Sequence, residues 1–197
     1  MANVFFTSDL HLGHALVAGL RGFDDVADHD AAIAENWRRV VGPKDIVWVL
    51  GDLAASSPSR ALDLIRSLPG EKHLVLGNHD PAHPMHRDAY RRQWPYLAGN
   101  GGAFQSVAAS ARRRIQGQEV LLSHFPYDRD RGETRYAQWR LPDLGVPLLH
   151  GHTHGTERLS RSARSTPEIH VGVDAWDLAP VPLETVAGLL AEAVIVQ

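Results

Sequence analysis

Five short apolar runs in this chain each stop at a residue able to bind a metal ion, and that repetition constrains the fold more than any other feature. The runs end at Asp9, Asp52, Asn78, His124 and His152. The first, Val4-Phe5-Phe6-Thr7-Ser8, breaks at Asp9, and His11 follows two residues later. In an extended segment, positions i and i+2 point to the same side, so Asp9 and His11 can converge on one point. The last run opens into His150-Gly151-His152-Thr153-His154, a second pair at the same spacing. Open α/β sheets gather ligands at the carboxyl ends of their strands, where neighbouring strand ends lie close together. Asp, Asn and Gly are common at any strand-to-loop junction, which accounts for one or two of these positions but not for five. Gly51, Gly77 and Gly151 directly precede three of them. Glycine permits the dihedrals and the close backbone approach that a crowded ion site needs.

Helical patterns separate the runs. Residues 15–25 read as a loop or short helix broken by Gly19 and Gly22. Apolar Ala31, Ile33, Ala34, Trp37 and Val40 recur at helical spacing over 28–41, with Asp28 or Asp30 as the expected cap. An unbroken apolar run at 46–50 predicts a strand buried on both faces. Ser56-Ser57-Pro58 opens a helix to Ser67, a third strand covers 72–76, and 85–94 is predicted helical. Segments 103–114 and 118–122 read as a hairpin turning at Gly117. Residues 126–146 are polar and irregular, 158–167 reads as a solvated Ser/Arg loop, 169–173 as a strand and 183–193 as a closing helix. Neither an internal repeat nor a linker divides the sequence, so residues 1–197 are expected to form one domain.

Composition narrows the class. Hydrophobic residues at 44% and charged residues at 22% are those of a soluble globular protein. A net charge of −3 gives no long-range attraction to nucleic acid or anionic membranes, so neither is an expected partner. No cysteine is present, which excludes disulfides and thiolate metal sites and makes the cytoplasm the expected compartment. The apolar stretch 186–196 is short and contains Glu192, so it cannot span a bilayer.

The candidate ligands are Asp9, His11, Asp52, Asn78, His124, His152 and His154. One tetrahedral ion needs about four protein ligands, so seven suit two ions. A carboxylate can bridge a pair of ions and an imidazole generally cannot. Asp52, at the middle strand end, is the expected bridge. Two ions about 3.5–4 Å apart are the arrangement that stabilises both attacking and leaving oxygens in phosphoryl transfer to water, with metal-activated hydroxide as nucleophile.

Asp9-x-His11, Gly51-Asp52, Gly77-Asn78-His79-Asp80, His124 and Gly151-His152-Thr153-His154 resemble, in order and spacing, the motif series of the calcineurin-like metallophosphoesterases. The resemblance implies a four-layer αββα sandwich, in which two mixed β-sheets are flanked by helices and the site lies at the strand ends. It also implies that Asp9, His11 and His154 hold one metal, that Asn78, His124 and His152 hold the second, and that Asp52 bridges them. His79 would act on the leaving group or the substrate phosphate, a role suited to an imidazole, and Asp80 would orient its ring. The cofactor would be two divalent ions, manganese foremost, with iron, zinc, nickel or magnesium also compatible with nitrogen and oxygen donors.

Departures from the family pattern narrow the subgroup. Leu53-Ala54-Ala55 follows Asp52 where phosphoprotein phosphatases carry an Arg used on phosphate, and Gly77-Asn78-His79-Asp80 differs from the Asn-Arg-Asp of lipid A pathway pyrophosphatases. Ser8 to His14, Arg21-Gly22-Phe23 and Asp174-Ala175-Trp176 resemble small bacterial and phage phosphoesterases. By that resemblance Arg21 is a candidate phosphate clamp. His14 could reach substrate or cap the following segment, and His150 could support a ligand. Arg129, Arg131 and Arg135 lie in the loop after His124, where substrate could be held. The expected activity is hydrolysis of phosphodiesters or phosphomonoesters, small or cyclic-nucleotide-type phosphodiesters foremost. The alternatives are a nuclease or nucleotide phosphatase, and, from a different class, a non-catalytic scaffold of the same fold.

Overall fold

The computed structural model describes residues 2–54, 58–128 and 136–195. The chain opens with strand β1 (Val4–Thr7), helices α1 (Ala15–Leu20) and α2 (Val26–Val40), strand β2 (Ile46–Val49), helix α3 (Pro58–Ser67) and strand β3 (Glu71–Val75). A four-residue helix α4 (Ala89–Arg92), strand β4 (Ser106–Ala108) and the hairpin β5 (Ala111–Ile115) with β6 (Gln118–Leu122) follow. Strands β7 (Leu148–His150), β8 (Leu159–Arg161), β9 (Pro167–His170) and β10 (Val181–Pro182) and helix α5 (Leu183–Ile195) complete the order.

The strands form two mixed five-stranded sheets, ordered β10-β1-β2-β3-β4 and β5-β6-β7-β9-β8. Strands β1 to β4 are parallel neighbours and β10 is antiparallel. In the second sheet β6, β7 and β9 are parallel, with antiparallel β5 and β8 at the edges. Alternation along each strand assigns side chains to two cores. Phe5, Val47, Val49 and Leu74 join Ile33, Trp37 and Ile65 of α2 and α3 on the outer face of the first sheet. Val4, Phe6 and Val75 point the other way and meet Val120, Leu122, Leu149 and Ile169 of the second sheet, with Val186 and Leu190 of α5. The sheets therefore pack face to face with helices flanking them, as the family resemblance implies. Among the described residues no helix is long and apolar enough to cross a membrane.

Several sequence expectations need correction. Asp25, not Asp28 or Asp30, caps α2, its side chain accepting from the Ala27 N–H at 2.8 Å; Asp28 falls in the first turn instead. Segment 85–94 yields only the four residues of α4. Asp88 takes a left-handed φ of 58° and Pro95 follows closely, and both oppose a continuous helix. The segment 103–114 divides: β4 extends the first sheet, while β5 begins the second. The expected turn at Gly117 is present, with positive φ at both Gln116 and Gly117 as a tight hairpin requires. Part of the expected Ser/Arg loop forms the edge strand β8. In β2, Ile46 and Trp48 are only half-buried; the Trp48 ring stacks on His73 at 4.6 Å, so this strand is not covered equally on both faces. Residues 55–57, at the expected start of α3, lie outside the described residues.

Candidate metal centre

The site lies where the parallel strands of both sheets end. Past β1 and β2 the backbones stay paired: the Asp9 N–H donates to Gly51 O and the His11 N–H to Asp52 O, each at 3.0 Å. In the second sheet the Gly151 N–H donates to His124 O at 3.0 Å. A parallel bridge between Ser8 and Gly172 ties the two ends together. Close approach explains the glycines. A Cβ on Gly51 would lie 2.5 Å from Gly77 N and 2.7 Å from His124 Nδ1, and one on Gly77 would lie 2.6 Å from Asp52 N.

All seven candidate ligands come together, in two groups. One donor atom each from Asp9, His11 and His154 lies within 4.8 Å of the others, and the same holds for Asp52, His124 and His152. Asn78 joins the second group, its Oδ1 being 3.0 Å from His124 Nε2. Asp52 Oδ2 stands between the groups, 3.6 Å from His11 Nε2 and 3.4 Å from His124 Nε2. Asp52 Oδ1 accepts the His79 N–H at 2.8 Å. The Asp9 carboxylate accepts the His152 N–H, with its two oxygens at 3.1 and 3.0 Å.

The ligand rings are oriented from behind. His124 donates from Nδ1 to Leu50 O at 2.7 Å, which leaves Nε2 as the free lone pair. His154 donates from Nδ1 to Asp174 Oδ2 at 2.9 Å, with the same consequence. His86 donates to Asn78 O at 2.8 Å and His150 to Gly151 O at 2.9 Å, so each steadies a ligand loop through its backbone.

The electrostatics fit cations. Burial opposes charge on His124, yet the Asp52 and Asp9 carboxylates outweigh it and push that imidazole up to about 9. Burial likewise opposes charge on His154, and its bond to Asp174 raises it. Burial would raise Asp9, but His124 and His154 hold it below its ordinary value. This donor set stabilises positive charge in a buried space, and a divalent ion can supply that charge in place of the imidazole protons. Close pairs of lone-pair atoms, such as His11 Nε2 and His154 Nε2 at 3.1 Å, suit a shared cation in the same way.

His79 is exposed, and its ring stands edge-on to His11 at 5.4 Å. It lines a cavity of about 590 Å³ together with Asp52, Asn78, His152 and His154. Asp80 does not orient it, contrary to expectation. The Asp80 carboxylate is buried and accepts the N–H groups of Gly77, Asp52 and Leu53 at 2.7, 3.0 and 3.1 Å, clamping two ligand loops together. Burial, then the charge of Asp52, raises it to about 7.

Arg21 is not available as a phosphate clamp. Its five N–H groups are all engaged: with Asp174 Oδ1 and Oδ2 at 2.7 and 2.8 Å, with Asp9 O and Leu10 O at 2.8 and 3.2 Å, and with His29 Nε2 at 3.0 Å. Arg21 thus braces the first ligand loop against the Asp174 that holds His154. Asp174 supports the candidate ligand His154, a contact the sequence did not reveal; the Asp174-Ala175-Trp176 string was its only signal. His14 makes no side-chain capping bond to α1, and its half-buried ring stands edge-on to His11 at 5.7 Å. Tyr136 and the α1 residues Val17 and Leu20 also line the cavity, and nothing in the sequence marked them. Arg129, Arg131 and Arg135 lie outside the described residues.

The model of the calcineurin-like phosphoesterase family matches residues 2–156. The chain is 49% identical over 190 residues to the Gene 66 protein of Mycobacterium phage D29, a match covering 92% of this chain and 93% of that one. It is 46% identical over 188 residues to the Gene 66 protein of Mycobacterium phage L5, covering 89% and 88%. A solved structure of a protein of unknown function from Aquifex aeolicus shares the fold, with a TM-score of 0.70 at 24% identity, over 96% of this chain and 100% of that one.

Proposed function

This chain belongs to the calcineurin-like phosphoesterases and is a metal-dependent phosphoric ester hydrolase, and from that premise we propose that it hydrolyses small phosphodiesters or phosphomonoesters at two divalent ions. Small and cyclic-nucleotide-type diesters are the foremost candidates. The observation that carries the reading is the position of Asp52 Oδ2 between two donor groups, 3.6 Å from His11 Nε2 and 3.4 Å from His124 Nε2. Asp9, His11 and His154 would hold one ion, Asn78, His124 and His152 the other, and Asp52 would serve both. Bound there, the ions supply Lewis acidity to phosphoryl oxygens and lower the pKa of water toward neutrality. Manganese is the preferred ion, and the nitrogen and oxygen donors also suit iron, zinc, nickel and magnesium.

The chain's own residues do the rest. His79, exposed on the cavity wall and fixed through its backbone N–H to Asp52, presents an imidazole that can give a proton to the departing alcohol oxygen. Asp80, buried behind the site, and Arg21, in the cavity wall, keep the ligand loops in register. For His14 the support as a substrate contact is its ring edge-on to His11 at 5.7 Å; it is not among the residues lining the cavity. The whole chain acts as one domain, and the absence of cysteine supports a cytoplasmic setting.

Metal-stripped protein reloaded singly with each ion and offered bis(4-nitrophenyl) phosphate and 4-nitrophenyl phosphate tests this. Hydrolysis with at least one ion is expected, and none with any ion overturns the reading. Asp52→Ala is expected to weaken both ions together in a calorimetric titration. Loss of one ion alone contradicts the shared carboxylate.

A further inference from the structure

Helix α1 carries no polar side chain. Its residues run Ala-Leu-Val-Ala-Gly-Leu from Ala15 to Leu20, and of these only Ala18 is buried. A helix on a protein surface ordinarily turns a polar face to water. Here Leu16 is 69% and Leu20 79% exposed. Scattered exposed leucines are ordinary, but these sit on a wholly apolar helix, and Val17 and Leu20 line the same cavity as His79, His154 and Asp174. Tyr136 adds an aromatic surface to that cavity, its ring stacked on Phe125 at 5.1 Å and edge-on to His152 at 5.3 Å. The helix is also anchored. Arg21, directly after it, donates its backbone N–H to Val17 O and Ala18 O, and its guanidinium is bonded to Asp174 and to the ligand loop. An apolar rim on a cavity floored by carboxylates and imidazoles is the composition of a small-molecule site, where polar groups fix one end of the ligand and apolar walls take the other.

We infer that Val17, Leu20 and Tyr136 form a recognition shelf for the organic arm of the phosphate ester, so that the favoured substrates carry an aromatic or otherwise apolar alcohol group. The inference rests on the phosphoesterase reading of the same cavity: the ligand-bearing floor takes the phosphoryl oxygens, and the shelf takes the arm that hydrolysis leaves unchanged or releases. The shelf is continuous with the metal-binding floor, which favours substrate over a membrane or a second copy of the chain as its occupant.

The test needs no turnover. Calorimetric titration of the metal-loaded protein with phenylphosphonate and with methylphosphonate compares two ligands that share a head group and differ in the arm. The wild-type chain is expected to bind the phenyl compound about tenfold more tightly, in line with burial of one aromatic ring against apolar side chains. In Val17→Ser/Leu20→Ser, and to a lesser degree in Leu20→Ser alone, the two affinities are expected to converge to within about threefold. Leu16→Ser, exposed but off the cavity lining, is expected to keep the wild-type ratio. Equal affinity in the wild type, no binding of either compound, or a ratio unchanged in the double variant overturns the shelf. A change of oligomeric state in the double variant, with the ratio retained, assigns the leucines to a contact between copies and also overturns it. Discrimination between the phosphonates without hydrolysis of any ester leaves the shelf standing and removes the phosphoesterase reading.

Discussion

Five of the seven proposed ligands hold their backbone in the left-handed region: Asp9, His11, Asp52, His152 and His154, with φ between 47° and 71°. Such conformations cost about 1–3 kcal/mol each for non-glycine residues and persist only where surrounding contacts over-determine them. The contacts here are named ones: the Asp80 carboxylate on three N–H groups, the Asp9 carboxylate on His152, and Arg21 on Asp9 O. Where these loops cross, Gly51 and Gly77 leave no room for a Cβ, which makes a single methyl group consequential. Gly77→Ala is expected to lower unfolding free energy by about 2–3 kcal/mol in urea titration, because its Cβ meets Asp52 N at 2.6 Å and His124 Cε1 at 2.9 Å. Asp174→Asn acts differently. It keeps the shape but removes the charge that fixes the His154 tautomer, and one ion is expected to bind about 10–100-fold more weakly. Calorimetry that finds both ions unaffected would remove Asp174 from the site. At this scale the sequence was informative where chemistry and spacing coincide. It named the candidate ligands that the fold brings together, but it could not show that the Arg21 guanidinium is consumed by five acceptors, or that Asp80 turns its carboxylate away from the neighbouring His79.

Between α2 and β2 the chain is stapled by one buried carboxylate. Asp45 accepts the Gly42 N–H and the Asn3 N–H, each at 2.8 Å, joining the end of a helix to the start of β1. Those two bonds hold its pKa below the ordinary 3.8. A depressed carboxylate stabilises the fold above its unfolded pKa, and loses that contribution as pH falls through the folded value. Asp45→Ala is therefore expected to melt below the wild type near neutral pH, with the gap in Tm closing as pH drops below about 4. A gap that stays constant down to the acid transition would refute the assignment. Elements with strong local signals were legible in advance: the parallel strands, the long α2 and the turn at Gly117. The elements misjudged were those whose state depends on distant partners. Segment 103–114 has one apolar pattern but serves two sheets, β4 pairing with β3 and β5 with β6. Strand β8 exists because β9 offers it an edge.

Two sheets that meet face to face bring loops distant in sequence to one point, and bound ions would then act as ties across the molecule. A ligand that binds only the folded state at 100 times its Kd adds about 2.7 kcal/mol of stability, which for a domain of this size is a rise of about 5–10 °C in Tm. Chelator treatment is expected to lower Tm by that order and readdition of the ion to restore it. An unchanged Tm after verified metal removal would mean that the donor groups hold no structural ion. The sequence by itself marked which residues can bind metal, because ligand chemistry is a local property of each side chain. The extended i, i+2 geometry expected to bring Asp9 and His11 together is absent, since both lie beyond β1 with left-handed φ. Only the tertiary structure decided that Asp52 stands between the two groups, that Arg21 is a brace and not a clamp, and that α1 turns apolar side chains into the cavity. Each of those depends on which residues a packed side chain meets, and that is set by how the two sheets close on one another.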